Sequence, residues 1–233
     1  MSERSLTKYL SLSSNTTKPY KYATEHAFLH AARERTLNSR ALSLWLSQDR
    51  IYAAHAYPRF IGALIAKIPF SAHHGIRSVQ EARNQRILAL LTFSLQNVVR
   101  EAGFFLQAAE KHGLDLEGWN ERAPTKSYVA EMARVSSWGT LEEGLVYLDA
   151  WTFVAGGSNS EFPEDSSAGR AIDELVENWT NIEFIKFVEE LREVVDDLGI
   201  EQGSDLWTRS EAMWNRTIEL EADFWPELGE ENL

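Results

Sequence analysis

The residues of this chain that could do chemistry are carboxylates set inside apolar helical stripes. In "LWLSQDRIYAAHAY", residues 44–57, a helix aligns Trp45, Asp49, Tyr52, Ala56 and, beyond the stretch, Phe60 on one face. Asp49 is the one charge on that face. A buried carboxylate must be paired or have a shifted pKa. Asp49 therefore either pairs with an arginine of another helix or holds a ligand, with the Tyr52 phenol one turn away. An acid beside a phenol suits an amino-substituted heteroaromatic ring, the acid accepting from the ring nitrogens while the phenol orients it.

A second acid lies in "IELEADFWPEL", where Glu221 stands three and four residues before Phe224 and Trp225. Trp214 and Ile218 continue its stripe backwards. A carboxyl packed against aromatics tends toward a raised pKa, which suits proton transfer near neutral pH. Glu219 and Asp223 fall on other faces. In "TLEEGLVYLDAWTF", Glu143, Val146, Tyr147 and Ala150 share a face, and Asp149 is a turn beyond Val146. Glu143 has two readings: an inward-pointing acid or, with Glu142, ordinary enrichment of acid in the first turn, which the helix dipole favours.

His26 and His30, in "EHAFLH", have the i, i+4 spacing of a metal pair, but no third ligand follows at matching spacing. They read as ordinary helix histidines, as do the adjacent His73 and His74. There is no glycine-rich phosphate loop and no serine in an elbow context, so neither a metal nor a cofactor is expected. Cysteine is absent, which excludes disulfides, thiolate ligands and thiol nucleophiles.

The elements that must position these acids are helices. Among 233 residues there are only thirteen glycines and six prolines, and apolar residues recur at helical spacing with no sustained alternation. The spacing predicts helices over 24–35, 39–68, 77–112, 125–137, 140–155, 168–179, 182–198 and 204–225. Asn38 or Ser39 caps the second, Pro58 kinks or breaks it near Tyr57, and Gly113 closes the third. The fold class is all-α, a single multi-helix bundle over residues 23–233, preceded by a loose polar tail at 1–22. The Gly/Ser/acid-rich stretch "AGGSNSEFPEDSSAG" reads as a loop within that domain.

Charge is uneven: from residue 161 onward there are 21 acids and 5 bases, within a net charge of −12. This disfavours nucleic acid as a partner and otherwise reads as a solvated acidic face. The N-terminal stretch lacks the apolar core of a secretory signal, and no apolar run approaches a membrane span. The expectation is a soluble, cytoplasmic protein with no membrane partner.

Taken in order, "EHAFLHAARERTL", "LWLSQDRIYAAHAYPRFIGAL", "APTKSYVAEM", "VYLDAWTF", "ENWTNIEFIKFV" and "ELEADFW" resemble the TenA (thiaminase II) family, which has the haem-oxygenase-like helical fold. The resemblance implies a pocket between helices that binds a small aminopyrimidine. It assigns ring recognition to Asp49 and Tyr52, a pocket tyrosine to Tyr128 and the catalytic glutamate to Glu221. One further pocket tyrosine is replaced by Trp179. The family's cysteine nucleophile falls on Val146, before Tyr147, so the chain resembles the cysteine-lacking branch, in which acids act on formylaminopyrimidine or aminopyrimidine during thiamin salvage. Glu143, one turn before Val146, would then supply a second carboxylate. The resemblance also implies a homo-oligomer, dimer or tetramer. The alternative is a protein of the same fold that holds a pyrimidine or related heterocycle without turnover.

Overall fold

The computed structural model describes residues 5–12, 20–156 and 167–233. Among them there are helices and no strand. Helix α1 is Leu6–Leu12, α2 Lys21–Thr24, α3 Ala27–Arg33, α4 Ser39–Ile51, α5 Tyr57–Ala66, α6 Val79–His112, α7 Ala123–Trp138, α8 Leu141–Gly156, α9 Ser167–Thr180, α10 Ile182–Asp196 and α11 Asp205–Phe224. The all-α reading holds, and the helix ends follow local chemistry. Asn38, Ser78, Asn181 and Ser204 each accept a hydrogen bond from the backbone N–H three residues on, at 2.8, 3.2, 2.9 and 3.1 Å. Gly113 takes the left-handed conformation, φ +66°, that ends α6.

One expectation changes. Residues 1–22 are not a loose tail throughout: α1 buries Leu6 and Leu10 against the bundle, and both the backbone N–H and the hydroxyl of Thr7 donate to Asp196 at 2.9 Å. The kink or break expected near Tyr57 takes the form of a π-turn, Tyr52–Ala56, in which the Tyr57 N–H donates to the Tyr52 carbonyl five residues back. Pro58 explains the widening. It has no N–H to give, and its ring would clash with the carbonyl four residues before it, so the extra residue in the turn relieves both problems.

Helix α8 runs through the middle of the bundle. Leu145, Val146, Tyr147, Leu148 and Ala150 are all buried, so its apolar character extends around its circumference, as a surrounded helix requires. Helices α11 and α10 pack along it, and α5 touches it where Leu64 lies against Gly144. A Cβ added to Gly144 would lie 2.2 Å from Leu64 Cδ2, and the Leu64 side chain is itself wholly enclosed. Gly144→Ala is therefore expected to lower stability by about 1–3 kcal/mol through overpacking. Chemical denaturation checks this, and a change within about 0.5 kcal/mol of zero would show that α5 and α8 separate freely.

Candidate active site

The side chain of Gln48 ties α4 to the start of α7. Fully buried, its carboxamide oxygen accepts from the Arg122 N–H at 2.9 Å and the Thr125 hydroxyl at 2.8 Å, and its amide group donates to the Asn120 carbonyl at 3.1 Å. These bonds fix the start of α7 against α4, bringing Tyr128 beside Tyr52, with ring centroids 5.0 Å apart and the rings nearly perpendicular. The Arg122 guanidinium then holds the end of α11. It donates to the Phe224 carbonyl at 2.6 Å and, in a fork, to Glu230 at 2.7 and 2.8 Å. Trp225 is pinned by its indole N–H to the Ala23 carbonyl at 2.8 Å and stacks on Trp45 at 5.7 Å.

These elements enclose a cavity of about 140 Å³. A space of this order, about 150 Å³, takes up one six-membered ring. Asp49, Tyr52, Tyr128, Trp179 and Glu221 all line it, within walls of Phe28, Trp45 and Phe224. So does Glu101, from the middle of α6. Among the described residues no cation pairs with Asp49, so an ion pair with another helix is not what keeps this acid inside. The one base on the wall, Arg33, is exposed.

Three carboxyl groups thus share an aromatic enclosure, and burial dominates their titration. Burial, with the nearby Glu101 and Glu221, pushes Asp49 well above the usual carboxylate range. Glu221 rises to about 7 through burial, opposed by the bond that the Tyr128 hydroxyl donates to it. Glu101 also rises to about 7 through burial, opposed by the bond from the Trp179 indole N–H.

Other sequence candidates are placed elsewhere. Glu143 does not line the cavity. Its carboxylate accepts from the Thr140 N–H at 2.7 Å and from Arg209 at 2.9 Å, while its own N–H donates to the Thr140 hydroxyl: the reciprocal cap of α8. Its first-turn position explains the difference. Val146 and Tyr147 are buried but form no part of the cavity wall, Tyr147 standing behind Tyr128 at 6.2 Å. Trp179 is there, held edge-on to Trp45 at 5.8 Å. His26 caps α3, its Nδ1 accepting from the Phe28 N–H. Among the described residues no group of three His, Asp or Glu side chains is placed to hold a metal ion, and no helix is long and apolar enough to cross a membrane. The loop read over 156–168 lies largely outside the described residues.

Comparison with known proteins settles the lineage. The model of the TENA/THI-4/PQQC family matches residues 14–231. The chain belongs to that family. It is 21% identical over 210 residues to a Glycine max protein named "Probable bifunctional TENA-E protein", covering 88% of this chain and 86% of that one. It is 25% identical over 247 residues to a Fusarium pseudograminearum (strain CS3096) protein named "Probable transcription factor", and it spans about half of that protein's length, 49%, with 88% of this chain covered. Among solved structures it is similar to a TenA homologue from Pyrococcus furiosus, with 22% identity, TM-score 0.68 and coverage of 88% and 92% of the two chains. The fold is thus the TenA helical fold.

Glu101 is the lining acid that the sequence reading of this TenA-family chain passed over, although its pattern repeats that of Glu221. It has Phe104 and Phe105 at i+3 and i+4, as Glu221 has Phe224 and Trp225.

The raised carboxyls make stability depend on pH. Between the ordinary 4.5 and about 7, folded Glu221 retains a proton that the unfolded chain releases, so its contribution falls as pH rises through that interval. Glu221→Gln removes the penalty. It is expected to raise the unfolding midpoint by about 5 °C at pH 8, from a gain of at most about 3 kcal/mol, and to leave it unchanged at pH 4. Calorimetry at the two pH values checks this, and an equal change at both would refute it.

Proposed function

We propose that this TenA-family chain is a hydrolase acting on aminopyrimidine or formylaminopyrimidine compounds, of the kind handled in thiamin salvage, by acid/base chemistry without a thiol nucleophile. The observation that carries the reading is the joint presence of Glu221 and Glu101, both titrating near 7, in a ring-sized aromatic cavity with Asp49. An Asp49 carboxyl that holds its proton offers a two-point match to an amino-substituted ring. Its O–H donates to a ring nitrogen and its carbonyl oxygen accepts from the exocyclic amine. Tyr52, Tyr128 and Trp179 hold the ring faces and edges. One of Glu221 and Glu101 is ionised and takes a proton from water as the oxygen bonds to the amide or amidine carbon. The C–N bond then breaks, and the leaving nitrogen receives a proton from the carboxyl pair.

A second reading, a pyrimidine-binding protein without turnover, is favoured by one fact: the position that the resemblance gives to the family's thiol is the buried Val146. A nucleic-acid partner is disfavoured by the net charge of −12, whatever name the Fusarium relative carries.

Incubating the protein with 4-amino-5-(formylaminomethyl)pyrimidine and its deformylated amine is expected to release formate or ammonia, detected by mass spectrometry and an ammonia assay. Glu221→Gln should lower kcat by about 100-fold or more with little change in KM, and Asp49→Leu, which removes both the donor and the acceptor, should raise KM by about tenfold or more. Binding without product would favour the non-catalytic reading, and residual turnover unaffected by Glu221→Gln would sink the mechanism.

The pH–rate profile is a further check. A site that needs one carboxyl ionised and the other protonated loses its base below about 7 and its acid above it, so kcat is expected to form a bell centred near 7. A rate that rises monotonically from pH 5 to 9 would exclude this pairing.

A further inference from the structure

Tyr147 stands one layer behind the cavity wall. It is 1% exposed, and its ring packs against Phe60 of α5 at 5.4 Å and, nearly perpendicular at 81°, against Tyr128 of α7 at 6.2 Å. Among the described residues its hydroxyl makes no hydrogen bond. A phenylalanine would fill the same space without burying a polar group, so packing alone does not account for the hydroxyl.

The surroundings leave one partner for it. The charged groups acting on Tyr147 are Glu131 and Arg134 from α7 and Glu221 and Arg216 from α11. Glu131 is held in a fork by Arg134 at 2.7 and 3.0 Å, and Arg216 donates to Glu219 at 3.2 Å. The neighbour that remains is Tyr128, whose hydroxyl opposes the upward shift that burial imposes on the Tyr147 phenol.

Tyr128 commits its single proton to Glu221, and its oxygen still has room to accept. Glu221 is also faced by Asp49 from α4, by Tyr52 from the π-turn and by Tyr20 ahead of α2, but its hydrogen bond comes from Tyr128. A donor placed behind Tyr128 polarises the O–H in front of it. The gain is largest when Glu221 is charged, because a bond to an ionised acceptor is the stronger one.

We propose that Tyr147 is a positioning residue for Glu221: its hydroxyl donates to the Tyr128 oxygen, and the two bonds in tandem, Tyr147 to Tyr128 to Glu221, stabilise the ionised carboxylate. The second bond is open in the structure. Ionisation of Glu221 draws the Tyr128 proton forward, leaves that oxygen more negative and closes the bond from behind. Each phenol keeps its own proton, so no group is transferred. The bearing of this on catalysis rests on the acid/base reading above, while its existence is a matter of the three side chains alone.

The test is an infrared titration of the full chain, following the C=O stretch of the protonated carboxyl that Glu221→Gln removes. It reads Glu221 whether or not any substrate is turned over. Tyr147→Phe should raise the midpoint by about half a pH unit or more, and Tyr128→Phe should raise it further. Adding Tyr147→Phe to Tyr128→Phe should leave the midpoint within about 0.3 of a pH unit of the Tyr128→Phe value, since the outer hydroxyl acts only through the inner one. Site-specific 3-fluorotyrosine at position 147, a stronger donor of nearly the same shape, should lower it. The thermal unfolding of each variant reports that it is folded. A midpoint that neither Tyr147→Phe nor the fluorotyrosine moves overturns the tandem and leaves the acid/base reading intact. So does a Tyr147→Phe shift of equal size with and without the Tyr128 hydroxyl. The expected shifts in a protein that releases no product from aminopyrimidines uphold the tandem and overturn the acid/base reading.

Discussion

Three carboxyl groups, Asp49, Glu101 and Glu221, enclosed by aromatic rings without an internal cation, set the terms for the rest of this molecule. Water would solvate such groups freely, and a folded chain that removes them from water must let them keep protons or give them a partner. Here the partners are sparse and neutral: a tyrosine hydroxyl for Glu221 and an indole N–H for Glu101. Glu221 and Glu101 are consequently poised between charge states near neutral pH, a condition unfavourable to stability and useful for proton transfer.

The surrounding architecture keeps that arrangement from relaxing. Gln48, next to Asp49 in the chain, satisfies three backbone or hydroxyl partners around the start of α7 and so fixes the distance between Asp49 and Tyr128. Arg122, one residue before α7, grips the carbonyl of Phe224 and the carboxylate of Glu230, which sets the end of the helix that carries Glu221. Both contacts are buried or nearly so, where hydrogen bonds to a guanidinium or carboxamide are hardest to exchange for water. The π-turn after α4 is part of the same frame, since it begins at Tyr52, the residue that packs against Tyr128 in the cavity wall. Such turns are frequent at functional sites, and here the cause is Pro58.

How far the sequence reaches can be judged residue by residue. The helical class, the caps at Asn38 and Gly113 and the disturbance at Pro58 were legible because each depends on neighbours within a few residues. Asp49 and Glu221 were legible for the same reason: an acid interrupting an apolar stripe is a local anomaly. Glu143 satisfied the same pattern and went elsewhere, because a first-turn glutamate has an alternative partner in the free N–H groups of its own helix, and Arg209 from α11 reinforced it. The N-terminal segment looked too polar to dock, yet two leucines and one threonine sufficed once α10 supplied Asp196.

Glu101 marks the boundary most clearly. By itself the sequence determined that this chain would be a bundle of helices carrying acids on apolar faces, since periodicity and local chemistry are properties of the chain alone. Only the tertiary structure decided which of those acids meet. Glu101 lies 52 residues after Asp49 and 120 before Glu221 along the chain, and its helix carries apolar residues on several faces, so nothing local states which face turns inward. The packing of α6 between α4 and α9 made that choice, and in doing so it placed one carboxyl in the wall of the aromatic cavity. Proximity between distant helices is a property of the folded packing, and no spacing within a single helix encodes it.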